Sequence, residues 1–197
     1  MIRLFALFIL VLLPCKAQAF ERNPQFSVAL ERQSPLNQNV DLDGIAFFVI
    51  VPFDKRFFAA ADMSFLQTDV NGNDFTYQQQ QVQLGINLYS HRHWQFDLLA
   101  GINRIQLEQS AATFENKDSD TAFAAEFSTE YQFDQDHKLA VVLSFQDNFA
   151  VERYQVHTRY SYRLDHNWQA SIALELGYNR KIEHDSNGYL FMVDYLF

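Results

Sequence analysis

The sequence has little cysteine, proline or glycine: one, four and six residues among 197. Its single cysteine, Cys15, lies in an N-terminal segment that we predict to be removed. The remainder then has no disulfide, thiol nucleophile or thiolate metal ligand. A lipidated Cys15 is an alternative, which Pro14 disfavours because the preceding residue is normally small. Beyond this segment no apolar run approaches the roughly 20 residues of a membrane-spanning helix.

Positive charge is also scarce, with 15 Lys and Arg against 24 Asp and Glu and a formal net charge of -9. Without Arg3 and Lys16, which lie in the N-terminal segment, 13 basic residues remain and the net charge is near -11. So acidic a surface argues against nucleic acid as a partner. The 48% hydrophobic content resembles that of a soluble domain, so the arrangement of residues is more informative than their composition.

The N-terminus has the three-part pattern of a cleavable signal peptide. A basic residue, Arg3, precedes a ten-residue apolar run, and the small-residue sequence Ala17-Gln18-Ala19 follows it. The apolar run is too short to span a bilayer as a helix. We therefore predict a signal peptide over residues 1–19 and a single mature domain over residues 20–197.

From Pro24 onward, apolar residues alternate with polar or small ones in ten stretches, the pattern of half-buried strands. The clearest runs from Thr121 to Phe133. In another, Gln81, Gln83, Gly85, Asn87 and Tyr89 share one face. The pattern predicts an all-β fold, a closed antiparallel transmembrane β-barrel of ten strands. The count is eight if Phe26 to Leu30 and one neighbour are not membrane strands.

The predicted connections alternate between short and longer segments. The short ones are Phe53 to Arg56, Ser90 to His93, Asp134 to His137, and Asp165 to Asn167. The others are Ser34 to Asp41, Asp69 to Asp74, Glu108 to Asp120, Asp147 to Glu152, and Arg180 to Asn187. Outer-membrane barrels have short periplasmic turns and longer external loops. If the short connections face the periplasm, an even number of strands places both termini there as well.

Aromatic residues collect at both ends of the predicted outward faces. This is the arrangement of the aromatic girdles at the two interfaces of a membrane barrel. A soluble sandwich would bury that face and has no reason to place aromatics at both strand ends. The girdle at the short-turn end comprises Phe57, Trp94, Phe133, Tyr162, Trp168 and Phe197, and the opposite one Phe65, Phe123, Tyr154, Tyr178 and Tyr189.

The last ten residues, Gly188 to Phe197, alternate and end in an aromatic residue. They resemble the signal that the barrel-assembly machinery recognises, here carried by Tyr189, Phe191, Val193, Tyr195 and Phe197. With the leader, the chain resembles the small, porin-like outer-membrane barrel superfamily of OmpA and OmpX type. This resemblance implies a Gram-negative outer-membrane location. It also implies partners: outer-membrane lipids, lipopolysaccharide, the assembly machinery and periplasmic chaperones.

Charged residues on the predicted inner faces form the candidate site. We interpret them as a charge network that, with Gln side chains, plugs a narrow lumen, because an unpaired charge at that depth would be costly. A narrow gated pore is the alternative. The network comprises Asp62, Asp97, Glu126, Glu130, Lys138, Arg153, His157, Arg159, Arg163, Glu175 and Asp194.

Metal sites are weakly indicated. The turn histidines belong to three separate hairpins, so solvated turn residues are the better interpretation; they are His91, His93, His137 and His166. The segment Asp69 to Asp74 resembles a calcium loop, but Gly72 falls too early for the EF-hand spacing. Asn71-Gly72 instead predicts a hairpin turn. We predict no metal and no other cofactor.

Enzyme motifs are equally weak. A lipid A-modifying hydrolase needs a His beside a Ser nucleophile, and Ser161 lies four residues from His157. An omptin-like protease needs carboxylates and a His at the outer rim, where His184 is the weak candidate. The sequence thus predicts a non-catalytic outer-membrane barrel with a structural or surface-interaction role.

Overall fold

The computed structural model describes residues 23–34, 41–70, 72–111, 114–147, 152–180 and 183–197. The predicted signal peptide, residues 1–19, lies outside these ranges. Within them, no helix is long and apolar enough to cross a membrane.

Ten antiparallel strands form a closed barrel in which each strand pairs with its neighbours in sequence and β1 pairs with β10. The predicted all-β, ten-stranded barrel is confirmed, and the eight-strand alternative is excluded because β1 pairs on both sides. The strands are β1 Gln25–Gln33, β2 Leu42–Pro52, β3 Phe57–Val70, β4 Asn73–His91, β5 Trp94–Ala111, β6 Phe114–Gln132, β7 His137–Asp147, β8 Glu152–Arg163, β9 Trp168–Asn179 and β10 His184–Leu196.

The two faces of the sheet have the reverse of a soluble protein's polarity. Leu84 and Leu176 on the outer face are each 66% exposed, whereas Asp97 and Asp194 on the inner face are 2% and 0% exposed. Strands place successive side chains on opposite faces, so the sequence alternation becomes an apolar exterior around a polar interior.

The exposed apolar residues form a band around the barrel. On β9 it runs from Trp168 to Tyr178, roughly 33 Å of strand and about 25 Å along the axis at the usual strand tilt. This matches the apolar band of outer-membrane barrels.

The barrel has two distinct ends. Residue 24 and Phe197 lie at one end, which we call the turn end; the opposite one is the loop end. Connections of two to four residues join strands at both ends, so the predicted contrast in connection length is wrong except for the connection 34–41 at the loop end. The four connections at the turn end are 53–56, 92–93, 133–136 and 164–167.

The face predicted for Tyr89 is wrong. A bulge at residue 88 shifts the register, so that Asn87 pairs with Asp97 but Tyr89 pairs with Phe96. The rings of Tyr89 and Phe96 are 5.8 Å apart on the outer face. One extra residue reverses the alternation for the rest of the strand, and sequence periodicity alone does not reveal it.

Two predicted loops are mostly strand. The segment Glu108 to Asp120 continues the β5–β6 ladder up to the pair Ala111 and Phe114, and β3 and β4 pair up to Val70 and Asn73. The prediction failed because polar residues occupy much of both faces here, which hides the alternation without preventing pairing. We call residues 73–80, 104–111 and 114–121 the extension.

Candidate functional site

All the charged residues predicted for the lumen occupy inner-face positions of the strands. Seven of them line one cavity, Arg153 and Asp194 are buried, and Lys138 pairs with a cavity residue. Arg163 pairs in register with the buried Gln169 near the turn end. The seven are Asp62, Asp97, Glu126, Glu130, His157, Arg159 and Glu175.

Two aspartates near the turn end accept hydrogen bonds from neutral side chains. The Asp97 carboxylate accepts hydrogen bonds from the side-chain amides of Asn87 and Gln95, both at 2.8 Å. Gln169 and Ser171 donate to Asp194 Oδ2, again at 2.8 Å each. An ion pair does occur at this end, with Lys138 Nζ 3.2 Å from Glu130 Oε1.

Glu175 connects three strands at the opposite end of the lumen. It accepts hydrogen bonds from Gln33 Nε2 on β1, at 2.7 Å, and from Gln155 Nε2 on β8. His157 Nδ1 lies 3.5 Å from its second oxygen. Glu175 is 3% exposed, so these donors replace the water that a buried carboxylate needs.

An apolar layer of inner-face side chains lies at the loop end of the lumen. Leu42, Leu66, Tyr77 and Ile105 form a buried inner-face cluster, with Phe75 and Leu107 packed against it. Tyr77 Oη donates to Gln79 Oε1 at 2.6 Å and makes a hydrogen bond with the Arg153 side chain. Because Tyr77 is on β4 and Arg153 on β8, this contact crosses the lumen.

Sequence reasoning missed this layer. Phe75 and Tyr77 precede the predicted start of their strand, and they alternate with polar residues in the opposite phase to the outward-facing Val82 and Leu84. That short alternation, with its apolar residues on the inner face, is the signal that could have found them.

Below this layer lies a cavity of about 230 Å³ whose lining is acidic. Glu31, on β1, was also missed by sequence reasoning; its Oε2 accepts a hydrogen bond from Ser64 Oγ at 2.7 Å. The two cationic or titratable nitrogen groups in the lining are those of Arg159 and His157, both on β8. The lining carboxylates are those of Glu31, Asp62, Asp97, Glu126, Glu130 and Glu175.

Exposure varies along the cavity lining. Its lining near the loop end, including Gln33, Gln146 and Glu175, is buried. Glu130 and Arg159, nearer the turn end, are half-buried.

The predicted girdle residues of the turn end are exposed on the outer face, where several form ring contacts. Trp94 lies 4.7 Å from Tyr131, Trp168 lies 4.9 Å from Tyr195, and Tyr162 lies 5.0 Å from His137. Phe197 is 68% exposed, and the other five members are 43–51% exposed: Phe57, Trp94, Phe133, Tyr162 and Trp168.

Four of the five residues of the predicted assembly signal lie on β10, which pairs with both β1 and β9, and the fifth, Phe197, follows it directly. Tyr189, Phe191 and Val193 point outward and are exposed, and Tyr195 is half-buried beside Phe197 at 4.8 Å between ring centroids. The Phe197 backbone N–H donates to the carbonyl of Pro24 at 3.0 Å.

The described residues contain no group of three or more His, Cys, Asp or Glu side chains placed to hold a metal ion. In the segment predicted as a turn, the Gly72 N–H donates to Asp69 Oδ1 at 3.1 Å and Gly72 has φ 78°. A φ in this region favours glycine. Asn71 and the side chain of His184 lie outside the described part of the chain.

The chain forms a ten-stranded closed barrel with an exposed apolar band, aromatic girdle residues and a polar interior, and these features define a class of protein. The fold is that of the small outer-membrane β-barrels.

Several solved structures of outer-membrane proteins are similar to this chain. The outer membrane protein OprG from Pseudomonas aeruginosa is 10% identical over 92% of this chain and 99% of that chain, with a TM-score of 0.50. Ail, the attachment invasion locus protein of Yersinia pestis, is 9% identical over 89% of this chain and 97% of that chain, with a TM-score of 0.49. Neisserial surface protein A is 11% identical over 88% and 96%, with a TM-score of 0.49.

At these identities the likeness to OprG shows the fold and nothing further. No family model matches the chain, and no curated protein matches its sequence.

Proposed function

We propose that the chain is a non-catalytic outer-membrane protein with a structural or surface-interaction role and a closed lumen. In this proposal residues 1–19 are a cleaved signal peptide and the turn end, with both termini, faces the periplasm. The barrel-assembly machinery and periplasmic chaperones act during biogenesis, and lipopolysaccharide surrounds the loop end.

The closed lumen is supported by the apolar layer at the loop end. Leu42, Leu66 and Tyr77 are at most 2% exposed, and the Tyr77–Arg153 contact spans the lumen. Packed side chains exclude the continuous water path that steady conductance needs.

The surface role is supported by the extension. β4, β5 and β6 have 19, 18 and 19 residues, whereas the other strands have 9–14. On their outer faces the apolar residues Val82, Ile102 and Phe123 are followed toward the loop end by polar side chains, which begin at Gln80, Arg104 and Thr121. Eight residues per strand project roughly 20 Å beyond the apolar band. In our proposal this polar sheet is the surface presented outside the cell.

Planar-bilayer recording tests the closed lumen. We expect no steady conductance from the wild-type barrel and a measurable current from Tyr77→Ala, which removes the contact to Arg153. Tyr154→Ala is the matched control, because Tyr154 lies near the same end but faces outward. Steady wild-type conductance, or equal currents from the two variants, would contradict the proposal.

A narrow gated pore is the second candidate, favoured by the polar cavity of about 230 Å³. In that case intermittent openings of the wild-type protein are expected, and Glu130→Gln or Arg159→Gln would change their ion selectivity. For the lipid A-modifying enzyme alternative, lipid A mass spectra with and without the expressed protein are the test. We expect identical spectra.

A further inference from the structure

Strand β6 has an unpaired edge in the extension. Residues 114–121 pair with β5 on one side, but the pairing of β6 with β7 begins only at Phe123 and Asp147. Among the described residues, no strand pairs with the other side of this segment, which we call the free edge. The opposite edge of the extension is short, because β3 covers β4 as far as Asn73 and extends beyond its own pairing with β2 only at residues 68–70.

The free edge presents the backbone groups of the odd-numbered residues. The Gln132 N–H donates to the carbonyl of His93, toward β5, and the Phe133 N–H donates to the carbonyl of His137, toward β7. Successive residues direct their N–H and C=O groups to opposite sides of a strand, and β6 pairs with both neighbours without a register shift. The groups that point to the side without a strand are therefore those of residues 115, 117, 119 and 121.

The Thr121 N–H shows the consequence of this direction. It donates to the side-chain Oδ1 of Asp120 at 2.7 Å, so a side chain takes the place of a neighbouring strand. The described part of the chain provides no such acceptor for the N–H groups of Lys117 and Ser119. Unpaired backbone groups would be costly in lipid, but the free edge begins where the apolar band ends, at Phe123.

The free edge lacks the features that usually protect a strand edge from pairing. Residues 115–121 include no proline or glycine, and the β5–β6 ladder has no bulge there. A lysine is often protective, but Lys117 forms an ion pair with Glu108 of β5, on the other side of β6. Its ammonium group is thus held away from the free edge.

The charge of the free edge is negative. Residues 114–121 contain three acidic residues and one lysine, which gives a formal charge of -2. Asp118 is exposed, Asp120 is half-buried, and both lie on the inner face. Lys or Arg side chains directly opposite on a neighbouring strand would form favourable cross-strand pairs, whereas carboxylates there would be repelled.

A second copy in the same membrane does not fit this edge. Two barrels related by a two-fold axis along the membrane normal would bring their β6 strands together at about twice the strand tilt, or roughly 70–90°. Strands that cross at this angle cannot form a ladder, and the two acidic edges would repel each other. Geometry and charge both favour an extended segment of a different protein.

We propose that the free edge of β6 binds an extended, basic segment of another protein, which adds to the sheet as a further strand outside the membrane. Its backbone pairs with Lys117 and Ser119, and its Lys or Arg side chains, at alternate positions, lie beside Asp118 and Asp120. This proposal rests on the proposed surface role of the extension and names the chemistry of its partner. Labelling of intact cells tests the surface location, whereas edge pairing is measured on the refolded barrel, so either can fail alone.

Hydrogen exchange of the full refolded barrel in a non-ionic detergent, followed by NMR, tests the pairing. The probe is the capped peptide Thr-Lys-Thr-Lys-Thr-Lys-Thr at saturation. We expect exchange of the Lys117 and Ser119 amides to slow about tenfold or more, because a hydrogen-bonded N–H exchanges only after opening. The Asp118 amide already faces β5 and should change little. Unchanged exchange at Lys117 and Ser119 would overturn the proposal.

Two further peptides separate backbone pairing from charge. When the lysines lie opposite the aspartates of an antiparallel ladder, the threonines exchange the hydrogen bonds with the odd-numbered residues of β6. A probe N-methylated at its two central threonines keeps the charge and should bind at least about tenfold more weakly. A probe with Glu in place of Lys keeps the backbone and should also bind at least about tenfold more weakly. Equal affinity of either peptide and the lysine peptide contradicts the proposal.

Variants locate the site. Ser119→Pro removes an N–H that points away from β5, so the β5 ladder stays intact, and should weaken binding of the lysine peptide about tenfold or more. Ser119→Ala keeps the N–H and is the matched control, for which we expect the wild-type affinity. Heat-modifiable gel migration establishes that each variant is folded. Wild-type affinity in folded Ser119→Pro would place the binding elsewhere and reject the site.

A second pair of variants measures the charge contribution. Asp118→Asn should weaken binding of the lysine peptide about twofold to fivefold, the range of a cross-strand charge pair. Asp74→Asn makes the same change on an exposed residue of β4, away from the free edge, and should leave the affinity unchanged. Equal effects of the two substitutions would show a general attraction to an acidic surface and contradict docking at the free edge.

Discussion

At the residue scale, one glycine makes room for a ring that fills the lumen. Gly85 on β4 pairs directly with Phe58 on β3, and Phe58 is 3% exposed. A Cβ atom at Gly85 would lie 2.2 Å from Cζ of the Phe58 ring, far inside contact distance. The absence of a side chain at Gly85 therefore lets the Phe58 ring lie directly over the strand. Aromatic side chains often cover strand glycines in this way.

We expect Gly85→Ala to lower the free energy of unfolding by about 1–3 kcal/mol, the usual cost of overpacking. In a Phe58→Ala background, where the obstructing ring is absent, the same substitution should cost much less. Urea unfolding of the refolded barrel measures all four proteins of this double-mutant cycle. Additive costs would show that the ring is not the obstacle.

A turn aspartate provides a pH-dependent contribution. Asp134 Oδ1 accepts hydrogen bonds from the backbone N–H groups of Asp136 and His137, both at 2.8 Å. These bonds, that of Asp136 first, hold the pKa of the Asp134 carboxyl below its ordinary value. A carboxyl whose pKa is lowered by folding stabilises the folded state above its unfolded-state pKa, about 3.9, and loses that contribution as the pH falls through the lowered value.

Asp134→Ala should therefore lower the thermal midpoint at pH 7, and the difference from wild type should narrow as the pH falls below about 4. Thermal unfolding followed by gel migration at several pH values checks this. Asp136→Ala is the control, since the same turn then loses a carboxylate for which the structure gives no hydrogen bond. A pH-independent difference for Asp134→Ala would count against the capping role.

At the element scale, strand β10 has two expected roles, closing the barrel and carrying the assembly signal, and one experiment can separate them. β10 completes the barrel through β1, and Phe197 at its end is 68% exposed on the outer face. We expect the Phe197 side chain to contribute little to the stability of the folded barrel. Recognition by the barrel-assembly machinery should depend on it, because the last ten residues resemble the signal that this machinery recognises.

Deleting Phe197 should reduce the amount of folded protein in the outer membrane several-fold and leave refolding from urea into detergent nearly unchanged. Outer-membrane fractionation and refolding yield are the two measurements. Phe133→Ala removes another exposed turn-end aromatic and serves as the control for simple anchoring. If both changes reduce membrane insertion equally, Phe197 acts as a girdle residue rather than as a signal.

The elements also show what periodicity predicts well. Strands β6 to β10 were recognisable because apolar and polar faces contrast strongly in residues 121–197. β4 was placed only in part, because its bulge at residue 88 and its polar segment from Asn73 to Gln80 each disturb the alternation.

At the scale of the whole molecule, orientation in the membrane is open to direct measurement. Ser119 in the extension and Lys55 in a turn are exposed at opposite ends of the barrel. Cys15 is the single cysteine of the chain, so one introduced cysteine at a time gives a clear signal.

With Ser119→Cys, intact cells should react with a maleimide too large to cross the outer membrane. With Lys55→Cys, reaction should require permeabilisation, because we place the turn end in the periplasm. The unsubstituted chain measures any background from Cys15. The reverse labelling pattern would invert the proposed topology.

The sequence by itself determined the all-β class, the lipid-facing side of most strands and the polar character of the lumen. These follow from a local cause, since side chains alternate between faces with period two and the membrane selects the apolar face. The tertiary structure decided the number of strands, because β1 pairs on both sides, and it decided which side chains meet across the lumen and where the cavity lies. Tyr77 meets Arg153, and Gln33 meets Glu175, 142 residues away. Such contacts depend on strand register, tilt and side-chain reach across the barrel, which no local pattern encodes.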